Sequence, residues 1–128
     1  MSIPSKLSYL AGPSTSPLWN VTLGDLLREQ AEATPSKPCV IFSEVGQRST
    51  YKQLHERCIA VSKGLIASGI TRGDNIGVFA GNCSAFVELM FASSYVGAAL
   101  VLLNCSYTAV ELKSAVKHSG KRISEFEK

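Results

Sequence analysis

The 128-residue chain has 45% hydrophobic and 18% charged residues, a composition that excludes a disordered tail, a collagen-like rod and a coiled coil. Its 13 Lys and Arg against 10 Asp and Glu give a net charge of +3. The basic residues are scattered, whereas a nucleic-acid-binding protein concentrates its phosphate contacts on one face. We therefore predict no nucleic-acid partner.

The four cysteines, at positions 39, 58, 83 and 105, include no C-x-x-C pair, so no zinc site is predicted. A chain of this size with an apolar core does not depend on disulfides. The first residues lack the continuous apolar stretch of a secretory signal, and the final Phe126-Glu127-Lys128 is not a peroxisomal signal. These observations predict a reducing, cytoplasmic location.

The first part of the chain divides into a lead-in and a helix. Residues 1–20 are rich in Ser and Pro without periodicity, which predicts an irregular lead-in. Thr22 and Asp25 form a capping-box pattern, and the helix should end near Thr34-Pro35 because the residue before a proline avoids the helical region. Four residues fall on one predicted face: Leu23, Leu26, Leu27 and Ala31.

A strand hairpin and an amphipathic helix follow. The apolar run 39–42 predicts a strand, which pairs with 48–50 across a turn. Thr50 with Gln53 is a second capping-box pattern, and Gly69 is suited to end the helix. The apolar stripe of this helix is Leu54, Cys58, Val61 and Leu65.

The remaining elements alternate between strand and helix. A strand is predicted over 76–80, an apolar helix capped by Ser84 over 85–96, a fully buried strand over 98–103, and a last helix opened by Thr108 with Glu111 and ending at Gly120. This alternation predicts an α/β fold, layered, with a largely parallel sheet and flanking helices.

A membrane span over residues 85–103 is an alternative for the apolar region. Glu88 is its one charged residue, and a span needs about twenty apolar residues. Ser93-Ser94 and Gly97 interrupt the run, and cationic flanks are missing. A buried helix followed by a buried strand is therefore favoured, and no membrane partner is expected.

Reactive side chains with motif spacing are scarce. His55 follows core residue Leu54 and is predicted to lie at the surface, and His118 lies in a last helical turn, where a cation is favoured. Ser114 and Lys117 have S-x-x-K spacing, but no S-D-N or K-T-G follows. No G-x-S-x-G, H-E-x-x-H or Walker loop occurs. We predict no catalytic, cofactor-binding or metal-ligating residue in this chain.

Six segments, in this order, nevertheless resemble motifs of one family. They are Thr22-Leu23-Gly24-Asp25-Leu26-Leu27 with Pro35-Ser36-Lys37-Pro38-Cys39-Val40, Ser49-Thr50-Tyr51-Lys52-Gln53-Leu54, Gly64-Leu65 to Gly69-Ile70 with Arg72-Gly73-Asp74-Asn75-Ile76-Gly77-Val78, Gly81-Asn82-Cys83-Ser84-Ala85-Phe86, Ala92 to Asn104, and Tyr107 to Glu111-Leu112 with Lys117-His118-Ser119-Gly120. The family is the adenylate-forming (AMP-binding) enzymes. The resemblance is nearest to medium-chain fatty-acyl-CoA ligases and to fungal acyl-CoA ligases of secondary metabolism.

The resemblance implies a partial enzyme. Residues 21–120 resemble the N-terminal part of the adenylate-forming fold, which family members continue for several times this length, and residues 121–128 form a divergent charged tail. In the family, ATP and Mg²⁺ activate a fatty or other carboxylic acid to an acyl-adenylate, which is passed to coenzyme A. In the family, one loop grips the ATP phosphates, other residues bind adenine and ribose, and a lysine is catalytic. None of these motifs has a match in residues 1–128.

Three functions are therefore compared. The favoured one is a truncated acyl-CoA ligase-like protein, inactive alone and without a cofactor of its own, from fatty-acid metabolism or the biosynthesis of a secondary metabolite such as a toxin. The second is a non-enzymatic interaction protein that pairs through its sheet edge with a full-length ligase or a complementary fragment. The third, less favoured, is a small membrane-anchored protein spanning 85–103.

Overall fold

The computed structural model describes Gly12, Thr15 and residues 17–120. Within them the elements are α1 (Leu23–Ala33), β1 (Pro38–Phe42), β2 (Gln47–Thr50), α2 (Tyr51–Ala67), β3 (Asn75–Phe79), α3 (Ser84–Val96), β4 (Ala99–Leu103) and α4 (Ala109–His118), with a 3-10 turn over Ser43–Val45. Most of the predicted lead-in 1–20 and the whole tail 121–128 lie outside the described residues.

Three of the four helices begin with the predicted capping boxes. The threonine hydroxyl accepts a hydrogen bond from the backbone N–H three residues on, and that residue's side chain accepts one from the threonine N–H. Each such cap contributes about 1 kcal/mol to helix stability. The predicted starts of these helices are therefore confirmed at Thr22, Thr50 and Thr108.

The start of α3 differs from the prediction. Ser84 was expected to cap this helix, but it is its first helical residue, and the N-cap is Cys83, whose side chain makes no capping hydrogen bond. A thiol is a weak hydrogen-bond acceptor, so the position of α3 depends on packing. Its predicted end is confirmed: Gly97 has a φ of 75°, a left-handed conformation that glycine adopts without steric cost.

The four strands form two separate pairs. β1 and β2 make the predicted antiparallel hairpin, in which Val40 pairs with Ser49. β3 and β4 pair in parallel in a continuous register from Asn75–Ala99 to Phe79–Leu103. The predicted parallel sheet is thus present as a two-stranded unit, with α3 as the crossover between its strands, and the hairpin is not joined to it among the described residues.

Two apolar clusters hold the helices against the strands. The first joins β3 to α2 and α3 through Leu65, Ile70, Ile76, Val78 and Ala92. The second lies where α1, α2 and α3 meet, and its buried members are Leu27, Leu54 and Cys58. The predicted stripe of α2 is confirmed by these burials. Leu23, predicted on the buried face of α1, is 50% exposed because it occupies the first position of the helix, at the outer end of the packed region.

The helices α2 and α3 are also linked by a buried hydroxyl group. Ser62 on α2 is 6% exposed, and its Oγ lies 2.7 Å from the carbonyl of Cys58 and 3.2 Å from the carbonyl of Ala92 on α3. A hydroxyl that satisfies its hydrogen bond in this way can be buried at little cost.

The prediction of a fully buried strand over 98–103 is corrected. Leu103 is 8% exposed, but Leu102 is 61% exposed. Val78, the register partner of Leu102, belongs to the cluster that joins β3 to α2 and α3, whereas Leu102 lies outside that cluster. α4 does not compensate, because none of its ten residues is buried.

The alternative of a span over 85–103 does not match the structure. This segment is divided into α3, a left-handed turn at Gly97 and the strand β4. Among the described residues, no helix combines the length and the apolar character required to traverse a bilayer.

The close packing of α1 on α3 predicts a strong effect of substitution at Gly24. A Cβ at this position would lie 2.8 Å from Cδ1 of Tyr95, closer than side chains tolerate. Gly24→Ala is expected to lower the free energy of unfolding by about 1–3 kcal/mol, measured by urea denaturation followed by circular dichroism.

The matched control for this substitution is Gly64→Ala. Gly64 lies within α2, and a Cβ there would have no atom within 4 Å. Alanine should therefore stabilise the helix at this position, by up to about 1 kcal/mol. Equal effects of the two substitutions would show that α1 does not pack on α3 as described.

Candidate functional site

His55 is not the surface residue that the sequence predicted. Its Nδ1 lies 2.8 Å from the hydroxyl of Tyr95 on α3, and the two rings meet edge to face with centroids 5.8 Å apart. The ring of Tyr95 in turn packs on Gly24, whose N–H donates to Oγ of Ser94 at 3.0 Å. The pair therefore joins α1, α2 and α3.

A second polar contact between α2 and α3 is an ion pair. Nε of Arg57 lies 2.7 Å from Oε1 of Glu88, and its Nη2 lies 3.2 Å from Oε2. Glu88 is 6% exposed, so this two-point pairing compensates a carboxylate that is almost completely removed from water. Glu88 is the one charge noted in the apolar segment 85–103, but no sequence spacing indicated its partner, 31 residues earlier.

Two open grooves border the β1–β2 hairpin, and Arg57 lines one of them. One, of about 460 Å³, runs between β2 and α2 and is lined by Arg48, Gln53, Glu56 and Arg57, among others. The other, of about 510 Å³, lies between the hairpin and the start of α3, with residues 41–45 and Gln47 on one wall and residues 82–84 and 86–87 on the other. The second groove contains Asn82, Cys83 and Ser84 of the Gly81-Asn82-Cys83-Ser84 loop.

The thiols near the helix interface are not activated. Burial, reinforced by the Glu88 carboxylate and by Cys39, raises the pKa of Cys58 to about 12. Burial also raises the pKa of Cys39. Because the thiolate is the nucleophilic form, neither residue is prepared for covalent chemistry.

The other side chains considered as site residues do not form a common site among the described residues. Among the described residues there is no group of three or more His, Cys, Asp or Glu side chains that could hold a metal ion. His118 lies in the last turn of α4 as predicted, with Nδ1 2.7 Å from the carbonyl of Ser114. The His55–Tyr95 and Arg57–Glu88 contacts both connect α2 to α3.

The thiol pKa values give a test by alkylation. At pH 8 iodoacetamide should modify Cys105, which is exposed, and leave Cys58 unmodified, since a pKa of about 12 keeps it protonated and its side chain is 0% exposed. Mass spectrometry of peptides should show Cys58 modified only after denaturation. Modification of both at similar rates in the native protein would contradict the described burial.

The fold and the sequence together define the class of protein. Residues 27–124 match the family described as AMP-binding enzyme, and the chain therefore belongs to this family of adenylate-forming enzymes. The predicted resemblance and the fold class, the N-terminal part of an adenylate-forming domain, are confirmed.

Two of the relatives that the chain resembles are named acyl-CoA ligases. The chain is 42% identical over 117 residues to the acyl-CoA ligase SID4 of Ajellomyces capsulatus, covering 91% of this chain and 20% of SID4. It is 31% identical to the mitochondrial medium-chain acyl-CoA ligase ACSF2 of Danio rerio, covering 91% of this chain and 19% of the relative.

A solved structure with the same fold is the N-terminal domain of FACL13 from Mycobacterium tuberculosis. It matches with a TM-score of 0.76 and 25% identity, over 80% of this chain and 26% of that domain. The chain therefore spans about one fifth of the length of the curated relatives that it matches, and about one quarter of this solved domain.

Proposed function

We propose that this chain is the N-terminal structural unit of an acyl-CoA ligase and has no ligase activity by itself. The whole enzyme activates a fatty or other carboxylic acid with ATP and Mg²⁺ and transfers the acyl group to coenzyme A. The observation that supports this most strongly is the 42% identity to SID4 over 91% of this chain, together with the fold that the chain shares with the N-terminal domain of FACL13.

The absence of activity from the isolated chain follows from the chemistry of adenylation. This reaction needs cations and backbone amides directed at the charge that moves between the phosphates and the carboxylate. In residues 1–128 no segment resembles the loop or the lysine that supply these groups in the family. Within the described residues, the polar groups gathered at the helix interface instead hold α2 and α3 together through Arg57 and Glu88.

A segment exchange tests whether the chain is such a structural unit. The part of SID4 that matches this chain is replaced by the corresponding residues of this chain, and acyl-CoA formation is compared with that of unaltered SID4 on the same acid. We expect the chimera to form acyl-CoA. A chimera that folds, as judged by its circular dichroism, but forms no acyl-AMP would contradict the proposal.

The isolated chain supplies the second arm of this test. We expect no ATP–pyrophosphate exchange above buffer with a panel of medium-chain acids, the substrate class named for ACSF2. Exchange that increases with protein concentration and is removed by Ser84→Ala would show that the chain itself contains an active site.

The free cysteines bear on the proposed cytoplasmic location. Four thiols are unpaired in the part of the chain that the structure describes, an arrangement that persists in a reducing compartment. The unpaired thiols therefore support a reducing compartment, and we propose the cytoplasm. The metabolic context proposed for the whole ligase is fatty-acid or secondary metabolism.

A further inference from the structure

The groove between β2 and α2 brings two guanidinium groups together. Arg48 of β2 and Arg57 of α2 both line it. Arg48 takes part in none of the ion pairs found in the part of the chain that the structure describes. The second groove, between the hairpin and α3, has no Lys or Arg among the described residues that line it. Of the two grooves, only the first is therefore suited to an anion.

The ion pair with Glu88 holds Arg57 in place without using all of its donors. A guanidinium group is planar and has five N–H donors in a fixed arrangement. Nε and Nη2 of Arg57 each contact the Glu88 carboxylate, so both N–H groups of Nη1 and the second one of Nη2 remain. Glu88 is 6% exposed, whereas the Arg57 side chain is 58% exposed. Arg57 can therefore donate to a second oxyanion while it keeps the first.

Two further residues of the groove set its hydrogen-bonding character and its charge. Oε1 of Gln53 accepts a hydrogen bond from the N–H of Thr50 at 3.0 Å, which leaves the amide N–H donors of Gln53 for a ligand. Glu56 is the one carboxylate among the described residues that line the groove, and its Oε1 lies 3.9 Å from Nζ of Lys52. Because Glu56 and Glu88 each have a cationic partner, the charge of Arg48 is left uncompensated.

We propose that this groove is a binding site for a phosphate monoester group. Arginine forks match the geometry of phosphate and carboxylate oxygens alike. A phosphate monoester offers three strongly accepting oxygens and a charge of about −1.5 to −2 at neutral pH, so it engages both guanidinium groups and Gln53 together. A single carboxylate, with two oxygens and one charge, leaves part of this donor set to water. The inference is independent of the proposed function, since it depends only on side chains of this chain.

Titration of the full 128-residue chain with inorganic phosphate tests the site. Amide chemical shifts of the 15N-labelled protein are followed by NMR at constant ionic strength, because added salt screens charges. We expect saturable shifts at residues 47–49 and 53–57, and at least fivefold weaker binding of acetate. Glycerol 3-phosphate and a phosphoserine peptide then distinguish two sources of the same group, a small phosphorylated molecule and a phosphorylated protein, by which of them binds more tightly than inorganic phosphate.

Charge variants at exposed positions make the test specific. Arg48→Gln should raise the dissociation constant for phosphate at least fivefold, because it removes charge-assisted hydrogen bonds. The matched control is Lys63→Gln, which removes the same charge from an exposed residue of α2 that does not line the groove and should change the constant less than twofold. Glu56→Gln should tighten binding about twofold by removing a like charge. Arg57 is left unaltered, since its loss also unpairs Glu88.

Three results would overturn the inference. The first is the lack of saturable shifts at residues 47–49 and 53–57. The second is equal weakening by Arg48→Gln and Lys63→Gln, which would reduce the effect to a general attraction of phosphate to a cationic protein. The third is binding of acetate as tight as that of phosphate, which would make the groove a carboxylate site. All three variants should melt at the temperature of the unaltered chain, so a loss of binding is not explained by unfolding.

Discussion

Replacing Leu65 by alanine is expected to lower the free energy of unfolding by about 2–5 kcal/mol. Leu65 is 2% exposed and lies in the cluster that joins α2 to β3, beside Ile76 and Ala92. Truncation removes three carbons from a closely packed site and leaves a cavity that the surrounding helices and strands fill only in part. Total stabilities of single domains are about 5–15 kcal/mol, so this loss should be visible as a large shift of the urea midpoint.

The neighbouring residue provides the control for this measurement. Ile66 is 60% exposed on the same helix, and Ile66→Ala should change the free energy of unfolding by less than about 0.5 kcal/mol. If the two alanine variants lose equal stability, α2 does not present Leu65 to the sheet, and the packing of β3 against α2 would have to be abandoned.

The second large effect is expected at the ion pair between α2 and α3. Arg57→Met leaves the carboxylate of Glu88, which is 6% exposed, without its partner. Removing one member of a buried pair costs about 3–5 kcal/mol, and we expect about 2 kcal/mol here, because the Arg57 side chain is 58% exposed and water can replace part of its interaction. Thermal and urea unfolding at neutral pH measure the change.

A double variant and an exposed pair make this prediction specific. Arg57→Met combined with Glu88→Met should recover most of the loss, because two apolar side chains leave no unpaired charge at the interface. Arg28→Met breaks exposed ion pairs of 3.4 Å to Asp25 and 3.5 Å to Glu32 and should cost less than about 1 kcal/mol. A double variant as unstable as Arg57→Met would show that Glu88 is not the buried charge responsible.

The contacts of the candidate site were the least predictable part of the molecule. His55 was expected at the surface because its position was judged along one helix, and its partner Tyr95 is 40 residues away. The pairing of Arg57 with Glu88 could not be predicted for the same reason, because the two residues are 31 positions apart in the sequence. Helical periodicity indicates which side chains share a face of one helix, but it does not indicate which residue of another helix lies opposite.

The sequence by itself determined the local structure and the family. The threonine caps at 22, 50 and 108 form hydrogen bonds within three residues, and the left-handed turn at Gly97 needs only the absence of a Cβ, so both can be predicted without knowledge of the fold. The order of these local motifs was also sufficient to identify the adenylate-forming enzymes.

Tertiary structure alone decided what each apolar strand is packed against. Ala99–Leu103 has the pattern of a buried strand, yet Leu102 is 61% exposed while its partner Val78 is 6% exposed. Hydrophobicity specifies that a side chain gains free energy from being covered. Whether it is covered depends on which side chains the fold brings against it: Leu100 of β4 packs on the cluster that joins β3 to α2 and α3, whereas Leu102 of the same strand lies outside that cluster.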